Sequence, residues 1–395
     1  MSDTTTIPRT TLTSITGQAG GTTAAEIERQ PEVWRTVVAN NTLRRDEIDA
    51  FLAPFAGGSG RVVLAGAGTS AFVGSVLAPA LTRRLGRRVE ALAITDIVSN
   101  PRECFGEDVP TLLVSFARSG DSPESLAATR LADQVLTDVR HLVITCSEQG
   151  ALFAAHADRA DSLTIAIPSA NDQGFAMTSS FSGMLVAAWS AFVPDAVVAI
   201  ERVAVAAERI LAERVDDIVA LAARGRDRIV YLGSGPLAGL ARESALKLLE
   251  LTAGSVVTYF DTALGFRHGP KAILDDDTLA VVFTSGDAYT RQYDDDIVAE
   301  LRGAIGDEDV LVLTPGGQAE RTTDVEQEWP VGVQDVDDAL LALPYVVVAQ
   351  IVGLAYSLRL GLTPDNPFPG NEVNRVVQGV TVHPLPDVPD TADRS

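Results

Sequence analysis

Short apolar runs alternate with longer mixed segments along most of the chain. The runs, rich in Val, Ile and Leu, predict strands at 61–65, 89–94, 111–116, 141–145, 163–167, 228–232, 256–259, 279–283, 309–313 and 329–333. Each run is separated from the next by a segment long enough for a crossover connection. Strands that are apolar throughout are typical of parallel sheets covered by helices on both faces. The pattern therefore predicts an α/β protein.

Helical segments frame these strands. After a polar leader, TTAAEIERQPEVW predicts a helix start with Thr22 or Thr23 as the N-cap and Pro31 as a break. Long helical stretches are predicted at 194–224 and 341–362. The proline-rich end of the chain is expected to be irregular until VTVH at 380–383.

The two halves of the chain repeat one another. VVLAGAG at 62–68 is similar to IVYLGSG at 229–235, Ser-Gly-Asp occurs at 119–121 and 285–287, and LVIT before Cys146 is matched by VLVLT ending at 314. The three pairs follow in the same order, each roughly 167 residues apart. A repeat of this length indicates two copies of one α/β domain rather than a solenoid.

Composition narrows the class of function. The net charge of −22 argues against a nucleic-acid partner, because a polyanion would be repelled. We expect that no stretch reaches the roughly 18 apolar residues of a membrane span, and the N-terminus lacks a signal-peptide pattern, so no membrane association and a cytoplasmic location are predicted. Cys104 and Cys146 lie in separate segments without metal-ligand spacing. We therefore expect no metal and no organic cofactor.

Two loops that follow predicted strands are rich in hydroxyl groups. Gly66 to Ala71 (GAGTSA) fits a loose dinucleotide-binding pattern, but it presents Thr69 and Ser70 where bare backbone would face a pyrophosphate. SFARSGDSPES at 115–125 follows another strand. The carboxyl ends of parallel strands face a common crevice, so both loops suit a phosphate monoester at helix N-termini. A simple helix cap at Ser122 is the alternative.

A third segment, 243–274, carries groups suited to proton transfer. Helical spacing puts Glu243, Lys247 and Glu250 on one face, which alone is typical of a solvated salt-bridge surface. His268 follows in a Gly-Pro turn. A carboxylate with an imidazole is what proton transfer on a sugar requires. Lys247 and Lys271 are the two lysines among 31 basic residues, and both lie in this segment.

These motifs together resemble the sugar isomerase (SIS) family. The resemblance is strongest to AgaS-type galactosamine-6-phosphate deaminase/isomerases and extends to the isomerase half of glucosamine-6-phosphate synthase. It runs from EIERQP to the closing VTVH. The motifs that carry it are the GTS loop at 68–70, the SG loop at 119–122, AMTSSFS at 176–182, ALKLLE at 245–250 and RHGP at 267–270.

The resemblance implies two tandem SIS domains, each a doubly wound, flavodoxin-like parallel sheet flanked by helices. The chain then divides into a polar leader (1–23), a first SIS domain (24–200), a second SIS domain (201–362) and a tail (363–395) that closes over the site. It also implies a small-molecule sugar phosphate as the partner, and a homodimer or larger homo-oligomer whose site is shared between subunits.

The resemblance implies a role for each site residue. Glu250 is implied to be the base that moves a proton between C1 and C2, Lys247 its assistant, and His268 the ring-opening acid/base, which a neighbouring subunit lends. The implied substrate-binding residues are Gly68, Thr69, Ser70, Arg118, Ser119, Gly120, Ser122, Thr178 and Ser179. Arg118 is expected to supply a charge-assisted contact to phosphate or a sugar hydroxyl.

Departures from the synthase pattern set the expected reaction. No cysteine nucleophile stands near residue 1, and Gln378 occupies the place of the lysine with which the synthase forms an imine. The expected reaction is conversion of a 2-amino-2-deoxyhexose 6-phosphate, foremost galactosamine 6-phosphate, to tagatose 6-phosphate and ammonia. Simple aldose–ketose isomerisation and a non-catalytic phosphosugar sensor remain as alternatives.

Overall fold

The computed structural model describes residues 11–17, 19–55, 60–316, 327–370, 372–377 and 379–386. Gln378 lies outside these residues. The described strands form two parallel sheets of five. They are β1 (Arg61–Gly66), β2 (Val89–Ala93), β3 (Thr111–Ala117), β4 (Val139–Thr145), β5 (Ser162–Ala166), β6 (Arg228–Gly233), β7 (Val257–Asp261), β8 (Thr278–Phe283), β9 (Val310–Thr314) and β10 (Glu328–Pro330).

Helices connect and cover the strands. They are α1 (Leu12–Thr16), α2 (Gly21–Glu28), α3 (Gln30–Leu43), α4 (Arg45–Leu52), α5 (Thr69–Leu85), α6 (Ile94–Ser99), α7 (Pro101–Cys104), α8 (Pro123–Val135), α9 (Ala151–His156), α10 (Ser179–Phe192), α11 (Val197–Glu213), α12 (Val215–Ala223), α13 (Pro236–Leu251), α14 (Ala288–Ile305) and α15 (Asp338–Arg359). The α/β class and the ten predicted strands are confirmed, each strand within two or three residues at either end.

The two sheets share one topology. The strand orders are β2-β1-β3-β4-β5 and β7-β6-β8-β9-β10, the flavodoxin-like order in which the chain reverses direction beside the first strand. The turns after β1 and β6 also match, with Gly68 at φ 52°, ψ −127° and Gly235 at φ 57°, ψ −124°. This left-handed region favours glycine. The predicted duplication is thus confirmed in topology and in the local conformation of a turn.

The sheet register brings the two hydroxyl-rich loops together. β1 and β3 are parallel neighbours, with Ala65 opposite Ser115. The chain therefore leaves both strands at the same edge, where GTS opens α5 and the SG loop leads into α8. In this topology a ligand binds in the crevice at that edge.

Helix α13 crosses α5 at very close range. A Cβ built on Gly239 would lie 2.6 Å from the backbone nitrogen of Val76, so only glycine fits. On its other side α13 packs against α15, where a Cβ on Gly353 would come within 2.9 Å of Leu251. Buried apolar side chains of both halves join in a single core around these helices. The packing holds the polar face of α13 next to the start of α5.

The hydrophobic helix α15 corrects one expectation. It spans 22 residues, and an 18-residue window within it has a mean hydropathy of 2.0, so by length and composition it could cross a membrane. That whole window is buried inside the protein, as in the central helix of a globular core. The sequence prediction that no stretch approaches the length of a membrane span is therefore wrong for α15.

Three smaller predictions also differ from the structure. Gly20, not a threonine, precedes α2, and the carboxylate of Asp365 in the tail accepts hydrogen bonds from the backbone nitrogens of Thr22 and Thr23 at 3.1 and 2.7 Å. The predicted helix 194–224 is two helices, α11 and α12, separated at Arg214. The irregular stretch does not end at VTVH, because 380–383 also has no regular secondary structure.

Candidate active site

The GTS loop places two hydroxyl groups at the start of α5. Thr69 and Ser70 are buried, and the Thr69 hydroxyl has no hydrogen-bond partner of good geometry among the described residues. They stand at the N-terminal end of a 17-residue helix, where the helix dipole and unpaired N–H groups favour an anion.

The SG loop is braced from behind by the segment before α9. The backbone nitrogen of Leu152 donates to the Gly120 carbonyl at 3.0 Å, and that of Ala151 to the Asp121 carboxylate at 3.0 Å. Ser119 and Ser122 are half-buried. Ser122 precedes α8 without a side-chain capping bond, and its hydroxyl contacts that of Ser125 at 2.6 Å. The structure thus holds both serines at a fixed loop while leaving their surfaces partly accessible.

Arg118 lies between the SG loop, the 171–177 loop and the tail. Its guanidinium is buried and donates to the carbonyls of Phe175 at 3.2 Å and Arg375 at 2.8 Å. Burial, then the nearby Arg375, lowers the pKa of Arg118, which Asp172 and Glu250 counteract. Two of the five N–H donors of the guanidinium are thereby used within the chain. Arg118 links the tail to the crevice.

A buried cluster of charges lies on α13. Lys247 is fully buried, and its Nζ donates to Glu250 Oε2 at 2.5 Å. Glu243 Oε1 lies farther from Nζ, at 3.6 Å, and Glu243 is also fully buried, whereas the Glu250 side chain is 26% exposed. Burial works against the Lys247 charge, but the two carboxylates outweigh it and raise the pKa of Lys247. The face is an interior ion cluster with one accessible carboxylate.

His268 is exposed in the turn after β7. Its ring has no hydrogen-bond or ion-pair partner within the part of the chain that the structure describes, and nothing there joins it to Glu250. The turn itself is anchored, because Arg267 Nε donates to Glu300 on α14 at 2.7 Å and Lys271 donates to the same carboxylate. The structure therefore presents His268 outward from a fixed turn.

Thr178 and Ser179 are engaged inside the protein. Both backbone nitrogens and both hydroxyls donate to the carboxylate of Asp172, as do the nitrogen and hydroxyl of Ser180. Arg29 forms an ion pair with the same carboxylate at 3.4 Å. Asp172 is completely buried. These hydroxyls consequently organise the start of α10 and the 171–177 loop.

Sequence reasoning missed the acidic side chains that hold this loop. Besides Asp172, the buried Glu26 accepts hydrogen bonds from the backbone nitrogens of Gln173 and Gly174. Burial, then the charge of Asp172, raises the pKa of Glu26 to about 7. The signal available in the sequence was an aspartate a few residues before a Thr-Ser-Ser run at a helix start, a pattern typical of a carboxylate cap.

The counterpart of the SG loop in the second half, at Ser285 and Gly286, is bonded by carboxylate side chains of the same chain. Asp338 accepts from the Ser285 hydroxyl at 2.5 Å and from the Gly286 nitrogen at 2.8 Å. Asp294 accepts from the Ser234 hydroxyl at 2.6 Å and from the Ser285 nitrogen at 2.9 Å. Among the described residues no carboxylate bonds Ser119 or Gly120 in this way. The two copies of the loop thus differ in the groups that fill them.

No group of three or more His, Cys, Asp or Glu side chains among the described residues has the arrangement of a metal site. The polar groups that the structure brings to the crevice are hydroxyls, backbone N–H groups, Arg118 and the α13 cluster.

Comparison with known proteins gives consistent matches. Residues 58–194 match the model of the SIS domain family. A Shewanella protein named D-galactosamine-6-phosphate deaminase AgaS is 42% identical over 92% of this chain and 92% of its own length. A Streptomyces coelicolor protein that bears the AgaS name provisionally is 56% identical over 92% and 96%. The crystal structure of tagatose-6-phosphate ketose/aldose isomerase from Escherichia coli is 37% identical, with a TM-score of 0.84, covering 95% of this chain and all of that one.

Proposed function

This chain belongs to the AgaS family of SIS domain proteins, and from that premise we propose that it is a phosphosugar deaminase/isomerase. The reaction is conversion of D-galactosamine 6-phosphate and water to tagatose 6-phosphate and ammonia. The observation that carries this proposal is the pair formed by buried Lys247 and partly exposed Glu250, 2.5 Å apart on a rigid helix beside two hydroxyl-rich loops. A pure binding protein has no need of such a pair.

In this proposal the crevice between α5 and α8 holds the phosphate. Thr69, Ser70, Ser119 and Ser122 supply hydroxyls at two helix N-termini, and Gly68 and Gly120 allow the backbone to approach. Arg118 adds a positive charge. Thr178 and Ser179, whose polar groups bond Asp172, act by fixing the loop next to Arg118 rather than by touching the phosphate.

The proposed chemistry has two proton-transfer stages. His268 takes the anomeric hydroxyl proton and returns a proton to the ring oxygen, which gives the open aldehyde. Glu250 then removes the proton from C2 and delivers it to C1, while one proton of the substrate's ammonium group passes to the carbonyl oxygen at C1. C1 then carries a hydroxyl, and C2 becomes an iminium carrying the substrate's own nitrogen. Lys247 holds Glu250 in place.

Ammonia leaves in the last stage. Water adds to the C2 iminium and the carbinolamine expels ammonia, leaving the C2 ketone. This sequence needs no lysine imine, in keeping with Gln378 at the position that the synthase fills with lysine. It also needs no metal or organic cofactor, because side chains perform every proton transfer. We place the enzyme in the cytoplasm.

The direct test is ammonia release from galactosamine 6-phosphate and glucosamine 6-phosphate by the purified protein. We expect stoichiometric ammonia and ketose phosphate with the galacto substrate. Ketose formation from hexose 6-phosphates without any ammonia from amino sugars would instead establish the second candidate, plain aldose–ketose isomerisation, which the name of the E. coli structure favours. Binding without turnover of either class would exclude both.

The phosphate site makes a quantitative prediction. Changing Ser119 and Ser122 together to alanine should weaken substrate binding by about 1.5–3 kcal/mol for each lost hydrogen bond to the charged phosphate. The measurement is KM together with the dissociation constant of a non-reactive hexitol 6-phosphate. Ser99→Ala, at an exposed serine of α6, serves as the control. Unchanged affinity in a correctly folded double variant would contradict the assignment.

We also propose a homodimer in which His268 acts on the partner's site. The edge strand β7 and its surroundings expose four large apolar side chains, each between 38% and 53% exposed: Leu249, Val257, Phe260 and Leu264. Exposed apolar clusters of this kind favour a subunit contact. They lie on α13, on β7 and in the residues between β7 and the anchored turn that presents His268 outward.

Subunit complementation tests the shared site. Glu250→Gln and His268→Ala chains should each be nearly inactive alone. Co-expressed at equal levels, they should recover about a quarter of wild-type activity, since half of the random dimers are mixed and each contains one intact site. Activity that stays at the level of the separate variants would show that His268 acts within its own chain.

A further inference from the structure

Glu243 is a buried carboxyl group to which neither the sequence motifs nor the proposed mechanism gives a role. It is 0% exposed, and neither of its oxygens has a hydrogen-bond partner of good geometry among the described residues. A buried carboxylate in this state would be costly unless it is neutral or paired. Its position therefore calls for a physical explanation.

One ammonium group lies between two carboxyl groups. Lys247 Nζ lies 2.5 Å from Glu250 and 3.6 Å from Glu243, so the strong ion pair is with Glu250. The charged groups that act on this cluster are Glu243, Lys247 and Glu250 on α13 and Arg118 after β3. The neighbouring helices bring uncharged residues to this cluster: Thr69 at the start of α5 faces Glu243, and Gly353 of α15 packs against the backbone of α13.

Burial favours the neutral, protonated form of Glu243 at neutral pH. Burial is the main cause that raises its pKa, to about 8; Lys247 lowers it, and the negative charge of Glu250 raises it further. The Thr69 hydroxyl also acts on this carboxyl group and favours its ionised form. Below about pH 8 the ammonium is thus left to Glu250, and above it two anions compete for one cation.

We propose that Glu243 is a positioning residue for the reaction at Glu250: while neutral it leaves the Lys247 ammonium on Glu250, and when ionised it draws the ammonium away. Thr69, at the start of α5, connects this position with the phosphate-binding loop. The inference rests on the proposed function, because it assigns Glu250 as the base. It predicts that Glu243 sets an alkaline limit to turnover.

The test compares pH profiles of wild type, Glu243→Gln and Glu243→Leu for ammonia release at saturating galactosamine 6-phosphate. Wild-type kcat should fall above about pH 8, approaching tenfold per pH unit as for a single inactivating ionisation. Glu243→Gln cannot ionise, so its ratio of kcat at pH 9.5 to kcat at pH 7 should be higher by about 30-fold, as expected from a single ionisation near pH 8. The substrate amine titrates equally in all three proteins and cancels in the comparison.

Two further variants distinguish an effect of Glu243 on the reaction from an effect on folding. Glu243→Leu cannot ionise either, so it should show the same higher ratio of kcat at pH 9.5 to kcat at pH 7 as Glu243→Gln, while circular dichroism and the unfolding midpoint report whether it folds. Glu213→Gln, at an exposed carboxylate of α11, is the matched control. Superimposable pH profiles for wild type and Glu243→Gln would overturn the proposal. Absence of ammonia release from the wild type would instead overturn the proposed function.

Discussion

Replacing Glu250 by glutamine is expected to lower turnover by about 100-fold or more while substrate binding is retained. Glutamine keeps the shape of the side chain but cannot accept a proton, and a positioned general base contributes roughly 10²–10⁴ in rate. Lys247, which donates to Glu250 Oε2, can still donate to the amide oxygen, so the local packing is preserved. The measurement is kcat together with the dissociation constant for the 6-phosphate substrate.

Solvent isotope tracing identifies the step that is lost. In D₂O the wild-type reaction should introduce deuterium at C1 of the ketose, and Glu250→Gln should introduce it no faster than it turns over. Glu213→Gln controls for the chemistry of the substitution at a position remote from the crevice. Exchange at the wild-type rate in Glu250→Gln would assign the base to another residue.

Replacing Asp172 by alanine is expected to lower the free energy of unfolding by at least about 3 kcal/mol, because several buried donors lose their acceptor and each costs roughly 1–3 kcal/mol. Asp172 is completely buried and accepts hydrogen bonds from the nitrogens and hydroxyls of Thr178, Ser179 and Ser180. Its removal leaves these donors and Arg29 without their acceptor. Chemical denaturation monitored by circular dichroism measures the loss.

Two further variants make this prediction decisive even if Asp172→Ala fails to fold. Asp172→Asn retains one acceptor oxygen and should lose less than the alanine variant. Asp217→Ala removes an exposed ion pair with Arg214 on α12 and should cost no more than about 1 kcal/mol. An Asp172→Ala protein as stable as Asp217→Ala would show that the hydrogen bonds around Asp172 contribute nothing net.

The strands could be predicted because their signal is local. A parallel strand covered on both faces is apolar throughout; β1 ends in Gly66, and β3 ends in Ala117, after which the sequence turns polar. The duplicated glycine turns at Gly68 and Gly235 likewise follow from residues adjacent in sequence. Fold class and the position of the crevice are therefore both readable from short segments.

The interior of the site could not be read in the same way. Helical spacing places Glu243, Lys247 and Glu250 on one face, but it does not say whether that face meets solvent or the protein. Only the close crossing at Gly239 and the cover of α15 decide that Lys247 and Glu243 are buried. Contacts between distant segments, such as Arg118 with Arg375, leave no local pattern at all.

The carboxylates that bond the second copy of the SG loop, at Ser285 and Gly286, show a difference between the two halves of the chain. Asp338 and Asp294 accept the hydrogen bonds of Ser285 and Gly286. The loop of the second half is therefore held by contacts within the chain. The first helix of that half also differs in its side chains: where α5 has Val76 and Ala80, α13 has Glu243 and Lys247. In the proposed function, the first copy of the domain binds the phosphate and the second supplies the side chains for proton transfer, so two copies of one fold would divide the two tasks.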